Sequence, residues 1–291
     1  MNSALVGREN EASRIRACLK AGRNVLLEGP VGVGKTHLAL AVAGELGSKF
    51  FRVDGDSRYS EQKLSGWFDP PLAIQKGFGP DSFVAGPLTL AMREGGVLFI
   101  NELNRLPEGV QNILLPAIDE RLLMIPRLGE IRAAPGFLVV ATQNPKEFVA
   151  TSHLSEAILD RFELVVLDYQ SEEDELAIVT GRVPGGTKEM KLLAGCAVKL
   201  ARLTRRHPRV RRGASVRAAI AIAEIGAVLL KEGMPFEKAF FTAVSLALPT
   251  RIEIEREADS ERSFRSEVEA LIQEWTQSVL DELAGGVKKK T

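Results

Sequence analysis

Gly29, Gly34, Lys35 and Thr36 stand in the order glycine, four residues, glycine, lysine, threonine, with Pro30, Val31, Gly32 and Val33 filling the gap. These residue types at this spacing can hold a polyphosphate. Glycines let backbone N–H groups turn inward and approach phosphate oxygens with no Cβ in the way. A helix opening at Gly34-Lys35 adds N–H donors and the positive end of its dipole. Lys35 can reach β- and γ-phosphates, and Thr36 offers a hydroxyl to Mg²⁺. His37 follows directly and is counted with the loop.

Two polar groups further along could complete a hydrolytic site. The apolar run Gly95-Gly96-Val97-Leu98-Phe99-Ile100 ends in Asn101-Glu102. An acid at the carboxyl end of a buried strand, downstream of a phosphate loop, lies where water and metal chemistry take place in such sheets. Glu102 is the candidate general base; the plain alternative is a capping or surface carboxylate. Phe137-Leu138-Val139-Val140-Ala141-Thr142 ends at Gln143-Asn144-Pro145. Asn-Pro by itself marks a turn, whereas at a strand end Asn144 could orient water against a γ-phosphate.

These groups need a sheet to carry them. Residues 24–28, 50–54, 95–100, 137–142 and 163–167 read as strands, the central ones apolar enough to be buried on both faces. Residues 12–20, 37–46 and 87–94 read as helices. The stretch 57–96 reads as a helix interrupted by an inserted loop, with Pro70-Pro71 as a stop; a surface loop is the alternative. Residues 107–121 are helical by pattern, with Pro116 expected to kink or end the helix. Residues 122–133 form a hairpin. After Tyr169 strand-like runs cease and helices are expected at 172–180, 188–205, 216–231 and 235–248, with a charged amphipathic helix at 259–284 in one or two parts. The expected organisation is an α/β core over 1–168, an all-helical domain over 169–284 and a frayed basic tail over 285–291.

Lys+Arg and Asp+Glu both number 38, and 45% of the 291 residues are hydrophobic. Zero net charge argues against nucleic acid or a membrane surface as a chain-wide partner. The two cysteines, Cys18 and Cys196, lie far apart. They fit a reducing compartment better than a disulfide or a metal site. With no leader and no apolar run of spanning length, a cytoplasmic protein is expected. The segment from Arg205 to Arg212 is strongly basic. It could meet an acidic partner, but in a neutral chain a solvated loop is the plainer reading. Trp67 and Phe68 stand between contact with a client and core packing.

The phosphate loop, Asn101-Glu102-Leu103-Asn104-Arg105, Ala141-Thr142-Gln143-Asn144-Pro145, Leu159-Asp160-Arg161-Phe162 and Gly213-Ala214-Ser215-Val216-Arg217-Ala218 occur in this order. Together they resemble AAA+ ATPases, and within those the MoxR family of the helix 2 insert clade. The resemblance implies a five-stranded parallel sheet of order 5-1-4-3-2 followed by an all-α lid. It implies ATP with Mg²⁺, the metal held by Thr36 and position 101. Asn144 is similar to the sensor 1 residue, Arg161 to an arginine finger acting on a neighbouring subunit's ATP, and Arg217 to the sensor 2 arginine. The stretch from Ser57 to Gly86 would be the helix 2 insert, and the hairpin over 122–133 the pre-sensor 1 hairpin, both lining a pore.

The implied function is a hexameric ring ATPase. It would remodel or mature a client enzyme together with a von Willebrand factor A domain protein. Chelatase-type ATPase subunits, GTP- or ATP-driven DNA-linked motors and nucleotide-gated assembly modules are the other readings. One departure stands out: the related strands end in aspartate then glutamate, and here Asn101 replaces the aspartate. An amide brings no negative charge, so Mg²⁺ is expected to be held less firmly.

Overall fold

A computed structural model describes residues 5–144, 154–183, 185–255 and 263–288. The chain divides into two compact units, Met1–Asp168 and Tyr169–Thr291.

In chain order the first unit holds α1 (Glu9–Lys20), β1 (Asn24–Glu28), α2 (Lys35–Glu45), β2 (Phe50–Asp54), α3 (Glu61–Ser65) and β3 (Gly66–Phe68). It continues through α4 (Pro70–Lys76), β4 (Phe83–Ala85), α5 (Pro87–Glu94), β5 (Val97–Asn101) and α6 (Glu108–Asp119). It closes with β6 (Leu122–Ile125), β7 (Gly129–Arg132), β8 (Leu138–Gln143), α7 (Glu156–Leu159) and β9 (Phe162–Val166). Five strands make one sheet in the order β2-β5-β8-β1-β9, every pair parallel. Numbered along the chain as 1 to 5, they read 5-1-4-3-2 from the β9 edge. Val25–Leu27, 97–100 and 138–141 are all buried, as strands covered on both faces must be. The edge strand β9 instead leaves Leu164 and Val166 exposed.

Register decides where the chemistry gathers. Glu28 pairs with Gln143, Ile100 with Ala141, and Asp54 with Asn101. The carboxyl ends of β1, β2, β5 and β8 therefore share one edge of the sheet, the usual ligand edge of such folds.

The stretch after Ser57 differs from the interrupted helix and loop expected of it. β3 and β4 form an antiparallel ribbon with Phe68 opposite Phe83, and α4 rides at its tip. Gly66, at φ +127°, turns the chain out of α3; a Cβ there would lie 2.3 Å from Phe83 Cζ. Pro70-Pro71 starts a helix rather than stopping one. Asp69 caps α4 by accepting from the Leu72 N–H, and a proline in the first turn loses no helical hydrogen bond. Pro116 also fails to end its helix, which runs on to Asp119. The hairpin is present as β6 and β7, Leu122 opposite Arg132.

The second unit holds α8 (Glu172–Thr180), α9 (Lys188–Arg206), β10 (Val210–Arg212), α10 (Val216–Lys231), α11 (Phe236–Ala247), β11 (Glu253–Ile254) and α12 (Phe264–Lys288). Leu193, Ala197, Ile222, Phe240, Val244 and Trp275 belong to its buried core. It is not all-helical: β10 and β11 pair antiparallel. Strands of two or three residues are too short for an alternation to register in the sequence. α12 is a single helix that includes positions 285–288, where a frayed tail was expected. The rest of that tail lies outside the described residues, as do Pro145 and His153.

Candidate nucleotide-binding and hydrolysis site

Between β1 and α2 the chain makes an open cradle of amides. Gly32 and Gly34 have φ of +82° and +94°, backbone that other residues rarely adopt. At Gly29 space is the constraint, since a Cβ would meet the Leu167 carbonyl oxygen at 2.2 Å. Gly34 caps α2 without a side-chain bond, so the first-turn amides suit an anion. The Lys35 ammonium donates to the carbonyl oxygens of Gly29 and Pro30, at 2.6 and 2.9 Å, across the mouth of this cradle. His37 is exposed at the start of α2.

Arg8 braces the loop from behind, a residue that the sequence reading passed over. It is 7% exposed and donates to the carbonyl oxygens of Val33, at 3.2 Å, and Asp168, at 2.5 Å, while pairing with Glu11. Only its fold-distant partners reveal it.

Asn101 is the hub of the polar edge. Its Oδ1 accepts from the hydroxyls of Thr36 (3.3 Å) and Thr142 (3.1 Å), and its Nδ2 donates to Asp54 Oδ1 (3.0 Å). Thr142 Oγ1 also accepts the Glu102 N–H at 2.9 Å, while its single proton is donated to Asn101. The Asp54 carboxyl lies below the usual carboxylate range, chiefly through its bonds from Arg52 and also through Asn101. Glu102 sits at φ +57°, rare for a residue with a side chain. Gly55 lets the chain pass there, since a Cβ on it would lie 2.1 Å from the Glu102 carbonyl oxygen. The Glu102 carboxylate meets Arg105 at 3.1 Å. Asn144, 6% exposed, directly follows β8, and Gln143 donates to Glu28 beside it.

The donor set fits Mg²⁺. Thr36 and Asn101 offer hard oxygen atoms side by side, and a small hard cation takes such ligands together with phosphate oxygens. Among the described residues no three His, Cys, Asp or Glu cluster for a metal, so the phosphates would carry most of the binding.

Arg161 does not join this group. It precedes β9, whose first residue, Phe162, pairs with Asn24 at the start of β1. The cradle follows the other end of β1, five residues away, or about 16 Å at 3.3 Å per residue. Its guanidinium pairs with Asp119 at 2.8 Å and donates to the Ala157 carbonyl. That pairing holds its pKa above the ordinary arginine value. Arg217 is exposed in the first turn of α10 in the second unit. The basic run is not one solvated loop. Arg205 and Arg209 pair with the buried carboxylates of Glu175 and Glu267. Trp67 is 42% exposed, whereas Phe68 packs edge-on against Phe78 and Phe83.

Sheet order, amide cradle and polar edge define the first unit as an AAA+ P-loop NTPase fold, and residues 24–162 match the AAA domain of the dynein-related subfamily. Among curated proteins the chain is similar to the gas vesicle ATPase GvpN of Haloferax mediterranei, 33% identical over 59% of this chain and 54% of that protein. The GvpN of Ancylobacter aquaticus is 27% identical over 90% and 77% of the two chains. Bacillus subtilis YojN, uncharacterised, is 37% identical over 52% and 49%. For the Haloferax and Bacillus relatives the chain thus spans about half their length. Two solved structures share the fold. A Cytophaga hutchinsonii chain has TM-score 0.51 at 23% identity, covering 93% of this chain and 90% of its own. The RuvB Holliday junction branch migration motor of Thermotoga maritima has TM-score 0.54 at 20% identity, covering 83% and 70%. No helix among the described residues is long and apolar enough to cross a membrane.

Proposed function

We propose that the chain is an ATP-hydrolysing subunit of a MoxR-type ring that couples nucleotide turnover to remodelling a partner protein. One observation carries this reading: Lys35, Thr36, Asn101, Glu102 and Asn144 converge on one sheet edge from three different strands and their loops. In this reading the amides from Gly29 to Gly34 and Lys35 bind the phosphates, and Thr36 and Asn101 would hold Mg²⁺, whose charge would offset that of the phosphoryl oxygens. Glu102 takes the proton of the attacking water, and Asn144 orients that water.

Arg161 lies at the far end of its own sheet, so any nucleotide it touches belongs to a neighbouring subunit. This geometry supports the arginine-finger reading and a closed ring, taken here as a hexamer. Arg217 would bind the γ-phosphate as the sensor 2 arginine, with the second unit acting as the lid. The ribbon β3–β4 and the hairpin β6–β7 would be the insert and pre-sensor 1 elements. They touch through Arg127, stacked 4.0 Å over Phe78. GvpN proteins named as ATPases among the relatives support the hydrolytic part.

The test is phosphate release from Mg²⁺-ATP by assembled protein. Glu102→Gln is expected to lower turnover ~10²-fold or more while nucleotide binding persists. Wild-type release no faster than that of the variant would refute hydrolysis. Asn101 and the Arg161–Asp119 pair favour one second reading, a nucleotide-gated assembly module. ATP-dependent oligomerisation without turnover would select it.

A further inference from the structure

Position 101 lacks the acid that the resemblance leads one to expect, yet a carboxylate stands one strand away. β2 and β5 are in register, so Asp54 faces Asn101, and the Gly55 N–H donates to the Asn101 carbonyl at 2.7 Å. We propose that Asp54 compensates for the missing acid by fixing the Asn101 amide with its oxygen toward Thr36, where it can serve the Mg²⁺ site. The proposal rests on the nucleotide-binding reading above.

The proton inventory carries it. An ionised carboxylate only accepts hydrogen bonds, so Asp54 must face the NH₂ end of the Asn101 amide. The amide oxygen is thereby turned to Thr36 and Thr142. Thr142, which accepts the Glu102 N–H, donates its one proton to that same oxygen. With the amide oxygen accepting from Thr36, the lone pairs of Thr36 Oγ1 remain for a cation. If the amide flipped, its NH₂ would point at two hydroxyls and compete with the metal for their oxygens. Arg52 donates to both oxygens of Asp54, Nη2 at 2.7 Å and Nε at 2.9 Å, which holds the carboxylate plane in place. Asp54 is thus a positioning residue that acts on the metal through Asn101. Losing a partner that orients a ligand in this way typically costs about 10- to 100-fold in metal affinity.

The experiment measures binding of a fluorescent non-hydrolysable ATP analogue to the full chain, in EDTA and in Mg²⁺. Its readout is the ratio of the two Kd values. Asp54→Asn is expected to cut the Mg²⁺-dependent gain about tenfold and to leave the EDTA Kd unchanged. Asp54→Asn combined with Asn101→Asp moves the acid to the usual strand and is expected to restore the gain. The proposal fails if Asp54→Asn keeps the full gain, if both Kd values rise by the same factor, or if the double variant stays low. Wild-type protein that binds no analogue in either buffer would remove the nucleotide reading itself, a different result from any of these.

Discussion

Single residues in this protein are read through their protons. Thr142 accepts from the Glu102 N–H and donates to Asn101, while the Asp54 carboxylate, which only accepts, sets which way the Asn101 amide points. Glu102 holds a left-handed backbone beside a glycine that has no room for a side chain, so its carboxylate leaves the strand end at a set angle. Elsewhere a residue with reactive chemistry is silenced. Burial pushes the Cys196 thiol up to about 11, from an ordinary value of 9.0. A raised thiol pKa means less thiolate at any pH below it, so at pH 8 the nucleophilic fraction falls about 100-fold. Alkylation of the native protein at pH 8, followed by mass spectrometry, is expected to spare Cys196, whereas unfolded protein is modified there. Rapid native labelling would show that the thiol is exposed to solvent.

Elements are joined by a few buried charges. In the second unit Glu175 on α8, 2% exposed, accepts from Arg205 at 2.7 Å and from Arg202 at 3.1 Å. Arg205 then stacks 4.0 Å over Tyr169 and donates to the Ala214 carbonyl at 2.7 Å. Thr204 accepts the Ala214 N–H, and Gly213 packs so closely that a Cβ would lie 2.8 Å from Arg205 Cα. The loop that starts α10, and with it Arg217, is therefore clamped to the end of α9. Removing one partner of a buried pair leaves an uncompensated charge. Glu175→Ala is expected to cost about 3 kcal/mol, seen as a lower urea midpoint, and Glu175→Gln less. A midpoint unchanged in Glu175→Ala would show that the arginines find water or other partners.

At the scale of the whole molecule the polarity of the sheet matters most. The cradle opens at the carboxyl edge and Arg161 stands at the amino edge, about 16 Å away along β1. If Arg161 acts in hydrolysis it acts between copies. Turnover per subunit is then expected to rise with protein concentration. Mixing Arg161→Ala protein, which keeps its cradle, with Lys35→Ala protein, which keeps its arginine, is expected to recover part of the activity that each lacks alone. A mixture no more active than its parts would exclude the inter-subunit role. Engagement would also have to release Arg161 from Asp119, which would couple assembly to activation through one ion pair of modest strength.

The sequence by itself determined the cradle, the buried strands and the helical second half. Those features are local: a glycine spacing and apolar runs of five or six residues carry their own signal within a short window. It also brought Asn101 into view as an anomaly. Tertiary structure alone decided that Asp54 meets its amide, that Arg8 braces the loop, and that Arg161 stands at the sheet edge opposite the cradle. The first and the last depend on parallel register or strand polarity, which joins residues 47 or 137 positions apart, and the Arg8 contact joins the start of α1 to a loop 25 positions on; none leaves a mark on the neighbouring residues. Pro70 misled for the opposite reason, because the deciding signal is local. Asp69 caps the Leu72 amide three residues on, and an acid directly before proline starts a helix rather than stopping one.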